Sequence, residues 1–553
     1  MHPAWWVFGA MLLWTVIVQF RSPIGPGQDH PYHMYAASIF ARSRAEGALS
    51  MYYPGATELS SNVLLYYVAI PFVKLFGPLY GMTVTLTIMY FAGYPLACAF
   101  ALRTLGRSPW GAIVAFPVLF NKSWSQGGFL PFLSIAPLMV LSIALYSRSW
   151  NPERTLRQRA TDTAITAVLA VLGFFAHSHA FVFLGCSLGI LTVTHSIGAL
   201  FETRHSLRTR FALALAQATA AIPMILPSAL LGYYWPGRRA VGTTYPLFSW
   251  HTLEAVNYQE KLQTLWITLT HLPTKYEVLT VGVIFTAIVV VLVLAPRPTA
   301  PRAPFETTLA FALGTFLILP DLLNGQAVAT RHIDFALWML PMVLIPFDSA
   351  IAAPSTEPRA ADENAPRITA ANLKVWALIA FVVVASIKRT SQFHSALESM
   401  RVGYTAPLLR VAQQCRSTRA ATGAALPRIG HMLITQATPY FHSTTLNQAH
   451  LTVAAICALD AETFGPDTVV PLRYQRVAQP FIGAVIAPID DWATNDGVWV
   501  RFDYVLATIE PSPPTFEGVD GAPRLVARHG PFALFRTTKH LAPLPTIPWR
   551  LRH

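Results

Sequence analysis

The chain has 553 residues, 53% of them hydrophobic and 12% charged, with a mean hydropathy of +0.43 and a formal net charge of +13. That apolar share is above, and that charged share is less than half of, what soluble domains carry, so the sequence is that of an integral membrane protein. The excess of 40 Lys+Arg over 27 Asp+Glu does not mark a nucleic-acid binder, because the arginines lie scattered in short segments between apolar runs and form no basic face.

The chain opens on "PAWWVFGAMLLWTVIVQF". "MHPAWW" has no basic region and no small-residue cleavage site follows, so we expect a retained helix here, not a removable signal. A spanning helix needs roughly 20 mostly apolar residues. On that template about 11 helices are expected, near 3–20, 80–102, 109–124, 128–147, 161–176, 180–200, 211–232, 277–295, 306–320, 334–347 and 374–388. The segments "RTLGRSP", "SRSWNPERTLRQRA", "ETRHSLRTR", "PRPTAPRAP" and "PSTEPRAADENAPRITAANLK" hold most of the loop arginine, whereas "NKSWSQGG", "HSH" and "DLLNGQAVATRH" hold little. The positive-inside rule puts the first set, with the N-terminus, in the cytoplasm. The second set, the loop 233–276 and everything after Lys388 then face outward.

"SNVLLYYVAIPFVKLFG", 61–77, decides the parity of the N-terminal part, since it is apolar but short and interrupted by Pro71 and Lys74. We expect it to lie along the interface with Lys74 reaching the headgroups, which leaves the loop before it outside. Residues 1–388 thus form a transmembrane domain. Residues 389–424 read as an amphipathic connecting helix and linker, with Phe393, Leu397, Leu408 and Val411 among its apolar positions. Residues 425–553 read as a small extracytoplasmic α/β domain, with strand-like runs "HMLITQA", "TVVPL", "VWVRFDYVLATI" and "FALFRTT" and one helical run, "NQAHLTVAAICALDA". Of the four cysteines, Cys98 and Cys186 fall in apolar runs, while Cys415 and Cys457 are able to pair if their region is outside the cytoplasm.

Ionisable groups at membrane depth are costly, by roughly 2.5–3.5 kcal/mol on insertion scales, so those retained at one face are functional candidates. Four clusters stand out. "GQDHPYHMYAASIF", 27–40, has Asp29, His30 and His33. A helix starting at His30 sets Tyr32, Tyr35, Ala36, Ile39 and Phe40 on one stripe and Asp29 and His33 on another. Asp29 is either an N-cap or a carboxylate that takes a proton from a bound hydroxyl. "FFAHSHAF" has His177 and His179, which share a role only if the chain turns there; otherwise they cap a hairpin. In "LLNGQAVATRHIDF", Arg331 and His332 precede a helix with Asp334 in its first turn, and a guanidinium there holds a phosphate or anchors a helix end. In "YYWPGRRAVGTTYPLFSW", Arg238 and Arg239 stand among aromatic residues that are either belt anchors or sugar platforms.

The arrangement of these elements resembles the GT-C superfamily of membrane glycosyltransferases, such as the protein O-mannosyltransferases and the lipid A aminoarabinose transferases. "GQDHPYHMYAASIF" is similar to that superfamily's acidic motif and first interfacial helix, and "SNVLLYYVAIPFVKLFG" to the second. "RHIDFALWMLPMVL" resembles the basic, Leu-Pro-containing helix after a late outer loop. The resemblance covers roughly residues 1–388. One departure stands: "NKSWSQGG" carries no acidic residue where several relatives place one, which argues against a metal-dependent or two-carboxylate scheme and leaves open a member without catalysis.

The resemblance implies transfer of a sugar from a polyprenyl-phosphate donor to an acceptor hydroxyl at the outer face of the cytoplasmic membrane, with inversion. Asp29 would be the base; Arg331 with His332, and Lys74, Arg238 or Arg239, would hold the phosphate. His30, His33, His177 and His179 complete the candidate substrate contacts. The partners implied are the lipid donor, an unspecified glycan, lipid or protein acceptor and membrane lipid, with no nucleic acid. No cofactor is expected. A divalent-metal site from Asp29, His33, His177 and His179 is conceivable by ligand type but has the spacing of no compact zinc motif. Two rival readings are a transporter or flippase for lipid-linked saccharides, which the lack of internal symmetry disfavours, and a non-catalytic envelope-assembly protein.

Overall fold

The computed structural model describes residues 2–23, 63–121, 129–150, 154–201, 206–234, 304–319, 326–344 and 370–402, with strands at 429–432, 504–508, 524–529 and 532–536 and isolated positions between them. It divides into two compact units. One comprises residues 1–23, 59–69 and 83–398; the other comprises 24–58, 70–82 and 399–553. Asp29, Arg238, Arg239, Cys415, Cys457, the expected span 277–295 and the expected helix 447–461 lie outside the described residues.

The first unit is a helical bundle. Among the described residues, six helical runs are long and apolar enough to cross a membrane: Pro3–Arg21, Leu64–Thr104, Leu130–Ser149, Leu156–Ala176, Ser178–Phe201 and Leu207–Leu226. The chain is therefore a multi-pass membrane protein. Helix α1 (Pro3–Arg21) shows why these runs are apolar all round. Ala4, Phe8, Met11, Thr15 and Gln19, spaced three and four apart, are buried against protein, while Trp6, Leu13, Ile17 and Phe20 stay exposed and suit lipid.

Helix α2 (Leu64–Leu86) is two arms joined at Gly77, whose φ of 76° and ψ of 169° are open to glycine, with Pro78 unable to continue the ladder. A Cβ on Gly81 would stand 2.5 Å from the Val73 backbone. Eight residues of straight helix rise about 12 Å, so the chain must double back at Gly77. Both ends of the reversal return to one end of the bundle. The Val63 N–H donates to the Phe175 carbonyl at 2.9 Å, and Phe91, closing the π-helical turn Thr87–Phe91, packs on Trp124 at 5.9 Å. Val63 and Phe91 therefore stand at the same end of the bundle.

Helices α3 (Gly93–Thr104), α4 (Gly111–Val118), α5 (Leu130–Leu133), α6 (Ala136–Ser149), α7 (Leu156–Ala176), α8 (Ser178–Phe201) and α9 (Leu207–Tyr234) follow. After them come α10 (Pro304–Ile318), a two-residue ladder of β1 (Leu322–Leu323) on β2 (Gln326–Ala327), α11 (Val328–Val343) and α12 (Ala370–Met400). The span expected over 109–124 is regular helix only in the eight residues of α4. The connecting helix expected from 389 is continuous with the last span in α12.

The two ends of this bundle differ in chemistry. At one, Arg107 makes a two-pronged pair with Glu306 at the start of α10, at 2.6 and 2.8 Å, and donates to the Met342 carbonyl at the end of α11. Nearby in sequence order, Thr155 and Gln158 form a capping box that starts α7. One turn on, buried Asp162 accepts from Arg148 at 2.5 and 3.0 Å and pairs with Arg154 at 3.2 Å. At the other end, α1, α4 and α12 finish together. His394 is wedged edge-on between Trp14 (4.3 Å) and Phe120 (5.5 Å), and Arg21 pairs with Glu398 at 3.0 Å. Arg21 and Val63, which bracket the first long loop, thus stand at the same end.

In the second unit a four-stranded sheet has the order β3 (Ile429–Met432), β4 (Tyr504–Thr508), β6 (Phe532–Arg536), β5 (Arg524–His529). The β3–β4 pair is parallel and the other two are antiparallel. Strand β5 is not among the expected runs. It forms a hairpin with β6 through Gly530, whose φ is 55°, and carries an irregularity between Leu525 and Ala527.

Removing the buried carboxylate that two half-buried arginines share leaves their charge uncompensated. Asp162→Asn should cost roughly 3 kcal/mol of stability, read as a lowered thermal midpoint in detergent; an unchanged midpoint would contradict the role assigned to this pair.

Candidate active site

The polar groups of the bundle's second end gather around α11. Its first turn begins at Val328, so Arg331 and His332 stand inside the helix, not before it. Arg331 is 7% exposed, with its guanidinium carbon 5.1 Å from the centre of the Phe129 ring and 5.6 Å from that of Phe132. Aromatic faces stabilise a planar cation in a site poor in water. "FLPFL", which supplies both rings, forms the start of α5.

The break between α7 and α8 falls on His177, which is extended at φ −165° and ψ 118°. Its Nδ1 accepts from the Ala180 N–H at 3.3 Å, so this side chain caps α8, and its ring stands edge-on to Phe132 at 5.2 Å. His179, in the first turn of α8, lies 6.3 Å from His177 between ring centres. The turn needed for the two histidines to work together is therefore present. Burial, then the Arg331 guanidinium and His179, hold the His177 pKa well below 6.5.

His179 and His332 face each other with their Nε2 atoms 3.2 Å apart, and His332 Nδ1 lies 2.6 Å from the Thr315 hydroxyl on α10. Both nitrogens of His332 thus already face protein groups. Phe183 and Phe335 stack at 3.9 Å beneath this row.

Three further polar groups stand here, and none is read from sequence as a site residue. Asp334, seen in sequence only as a first-turn residue, is fully buried and accepts from the Ser123 hydroxyl of the "NKSWSQGG" loop. Thus the loop that lacks a carboxylate of its own is tied to one from α11. Lys261 is also buried, donates to the Leu319 carbonyl and stands 5.0 Å from the Phe316 ring. Thr315 is the third. In sequence each is a single polar residue in an apolar or unremarkable run, with no spacing signal.

Among the second unit's candidates, His30 and His33 are buried, not presented on a polar stripe. They share the inward face with Met34, Ala37, Phe40 and Ala41 at helical spacing. His30 Nδ1 accepts from the Gly25 N–H at 2.7 Å, and a Cβ on Gly25 would stand 2.1 Å from that nitrogen, so only glycine allows the contact. Burial lowers the His30 pKa to about 3, and burial followed by the neighbouring His30 does the same to His33. Lys74 is exposed, beside exposed Leu75 and Phe76, as an interfacial lysine would be. Among the described residues no group of three or more His, Cys, Asp or Glu side chains is placed to hold a metal ion.

The sequence matches no protein-family model and no curated protein. Solved structures do match. ArnT from Cupriavidus metallidurans bound to undecaprenyl phosphate is 14% identical with a TM-score of 0.52, covering 97% of this chain and 98% of that one. The same protein in its apo state is 13% identical with a TM-score of 0.50, covering 96% and 97%. The archaeal oligosaccharyltransferase AglB from Archaeoglobus fulgidus, in complex with an inhibitory peptide and a dolichol-phosphate, is 12% identical with a TM-score of 0.46, covering 91% of this chain and 69% of that one. The chain has the fold of ArnT, a GT-C membrane glycosyltransferase.

The buried histidines of the second unit give a pH dependence with a fixed sign. Above pH 6.5 they are neutral folded or unfolded; between pH 6.5 and about 3 the unfolded segment binds protons that the folded one refuses, so acid destabilises it. Hydrogen exchange in a peptide spanning 25–41, corrected for intrinsic rate, should therefore accelerate from pH 7.5 to pH 4.5. Constant protection would contradict neutral burial of the pair.

Proposed function

We propose that this protein is an inverting glycosyltransferase that moves a sugar from a polyprenyl-phosphate donor to an acceptor hydroxyl, at the outer face of the cytoplasmic membrane. The observation that carries the reading is Arg331: a guanidinium framed by Phe129 and Phe132, beside His177, which burial keeps uncharged, at one end of a bundle with the GT-C fold. A cation in such a setting is matched to a phosphate that arrives on a lipid. The undecaprenyl phosphate bound by ArnT has that chemistry.

In this mechanism the acceptor oxygen attacks the anomeric carbon from the side opposite the phosphate. Its proton passes to Asp29, the C–O bond to phosphate breaks, and the electron pair leaves on the polyprenyl phosphate, whose growing charge Arg331 neutralises. The phosphate is already a good leaving group, so placement and charge neutralisation are what the protein must supply. Lys74, Arg238 and Arg239 are the further candidates for the phosphate. The arginine-rich end, with Arg107, Arg148 and Arg154, would face the cytoplasm by the positive-inside rule, and the Arg331 end would face out.

The test is transfer of radiolabelled sugar from polyprenyl-phosphoryl sugars by the purified protein in liposomes. Asp29→Asn should lower turnover about a thousand-fold with the fold intact. Arg331→Lys, which keeps the charge but loses the planar fork, should weaken donor use roughly ten-fold or more. Wild-type protein that transports a lipid-linked sugar without transferring it would overturn the proposal in favour of a flippase.

A further inference from the structure

The row Thr315, His332, His179 joins three helices, α10, α11 and α8, and its hydrogen positions follow from its oxygens. Thr315 Oγ1 lies 2.8 Å from the Phe311 carbonyl and 3.0 Å from that of Ala312. Oxygens that close repel unless a proton stands between them, so the single hydroxyl proton is committed to the helix backbone. The same back-bonding recurs at Thr166, Thr192 and Thr308. The 2.6 Å contact between Thr315 and His332 Nδ1 therefore has its proton on the nitrogen. A neutral imidazole protonated at Nδ1 is bare at Nε2. The 3.2 Å contact with His179 Nε2 then needs the proton on His179, which leaves His179 Nδ1 as an acceptor. That nitrogen has no hydrogen-bond partner among the described residues. Arg331 packs on the same Phe132 ring as His177, so a cation stands in the same aromatic cluster as this pair.

Resting on the transferase reading above, we infer that His179 accepts a hydrogen bond from a hydroxyl of the donor sugar next to the phosphate held by Arg331. His332 and Thr315 are positioning residues that fix its tautomer. An acceptor set beside a cation fits the two halves of a sugar phosphate: the guanidinium takes the anion, and the imidazole takes an O–H that a bare phosphate lacks. It also explains why three helices spend polar side chains on a row buried from lipid, where an unsatisfied polar group is costly.

The experiment compares binding of undecaprenyl phosphate with binding of a panel of undecaprenyl-phosphoryl hexoses and pentoses to the full-length protein in detergent. Wild type should bind at least one sugar-bearing lipid roughly ten-fold more tightly than the bare phosphate, as one well-formed hydrogen bond allows. His179→Phe and the near-isosteric Thr315→Val should abolish that increment and leave bare-phosphate binding unchanged. His179→Asn, whose Oδ1 stands in for Nδ1, and Thr315→Ser should keep most of it. Selective 15N labelling of the histidines should show His332 protonated at Nδ1 in wild type, and lost from that form in Thr315→Val. An increment that survives both His179→Phe and Thr315→Val, or is absent from wild type across the panel, overturns the inference. Wild type that binds no undecaprenyl phosphate at all would instead overturn the transferase reading itself.

Discussion

A guanidinium buried at the end of an apolar bundle must be neutralised, solvated or surrounded by groups that tolerate it, and the chemistry of this protein's second end follows from how Arg331 is accommodated. Two aromatic faces, Phe129 and Phe132, lie within 5.6 Å of it. His177 is held neutral by burial and, after it, by Arg331. Buried Lys261 and the Asp334 carboxylate stand at the same end of the bundle, so Arg331 is one of several buried ionisable groups there.

The backbone makes this possible through three breaks. Gly77 and Pro78 turn α2 back, so Val63 and Phe91 return to the Arg331 end. His177 interrupts the run from α7 to α8 and aims two imidazoles inward. Helix α4 ends at Val118, and beyond it Ser123 is tied to Asp334 of α11. At the opposite end Arg107 pairs with Glu306, and Arg148 and Arg154 pair with Asp162.

Much of this was legible in the residues themselves. Apolar runs of about 20 residues mark spans because lipid demands them. The reversal at Gly77 and Pro78 is not read from sequence, where Pro71 and Lys74 are the interruptions noticed. Contacts between distant residues were not legible. His179 meets His332 across 153 positions and Ser123 meets Asp334 across 211, and no periodicity encodes which helices are neighbours. His33 was set on a stripe with Asp29, away from the apolar residues, because a histidine in sequence does not declare its charge state; burial makes His30 and His33 part of an apolar face. Strand β5, "RLVARH", escaped because its arginines mask the alternation of Leu525 and Ala527, which an irregularity in the pairing further disturbs.

The account stands on the identity of the anion that Arg331 receives. A structure of the protein determined with undecaprenyl phosphate tests it most directly. The phosphate should lie within hydrogen-bonding distance of the Arg331 guanidinium, near Phe129 and Phe132, with the prenyl chain leaving toward lipid. A phosphate seated at the arginine-rich end beside Arg148 and Arg154, or one that leaves Arg331 untouched, would contradict it.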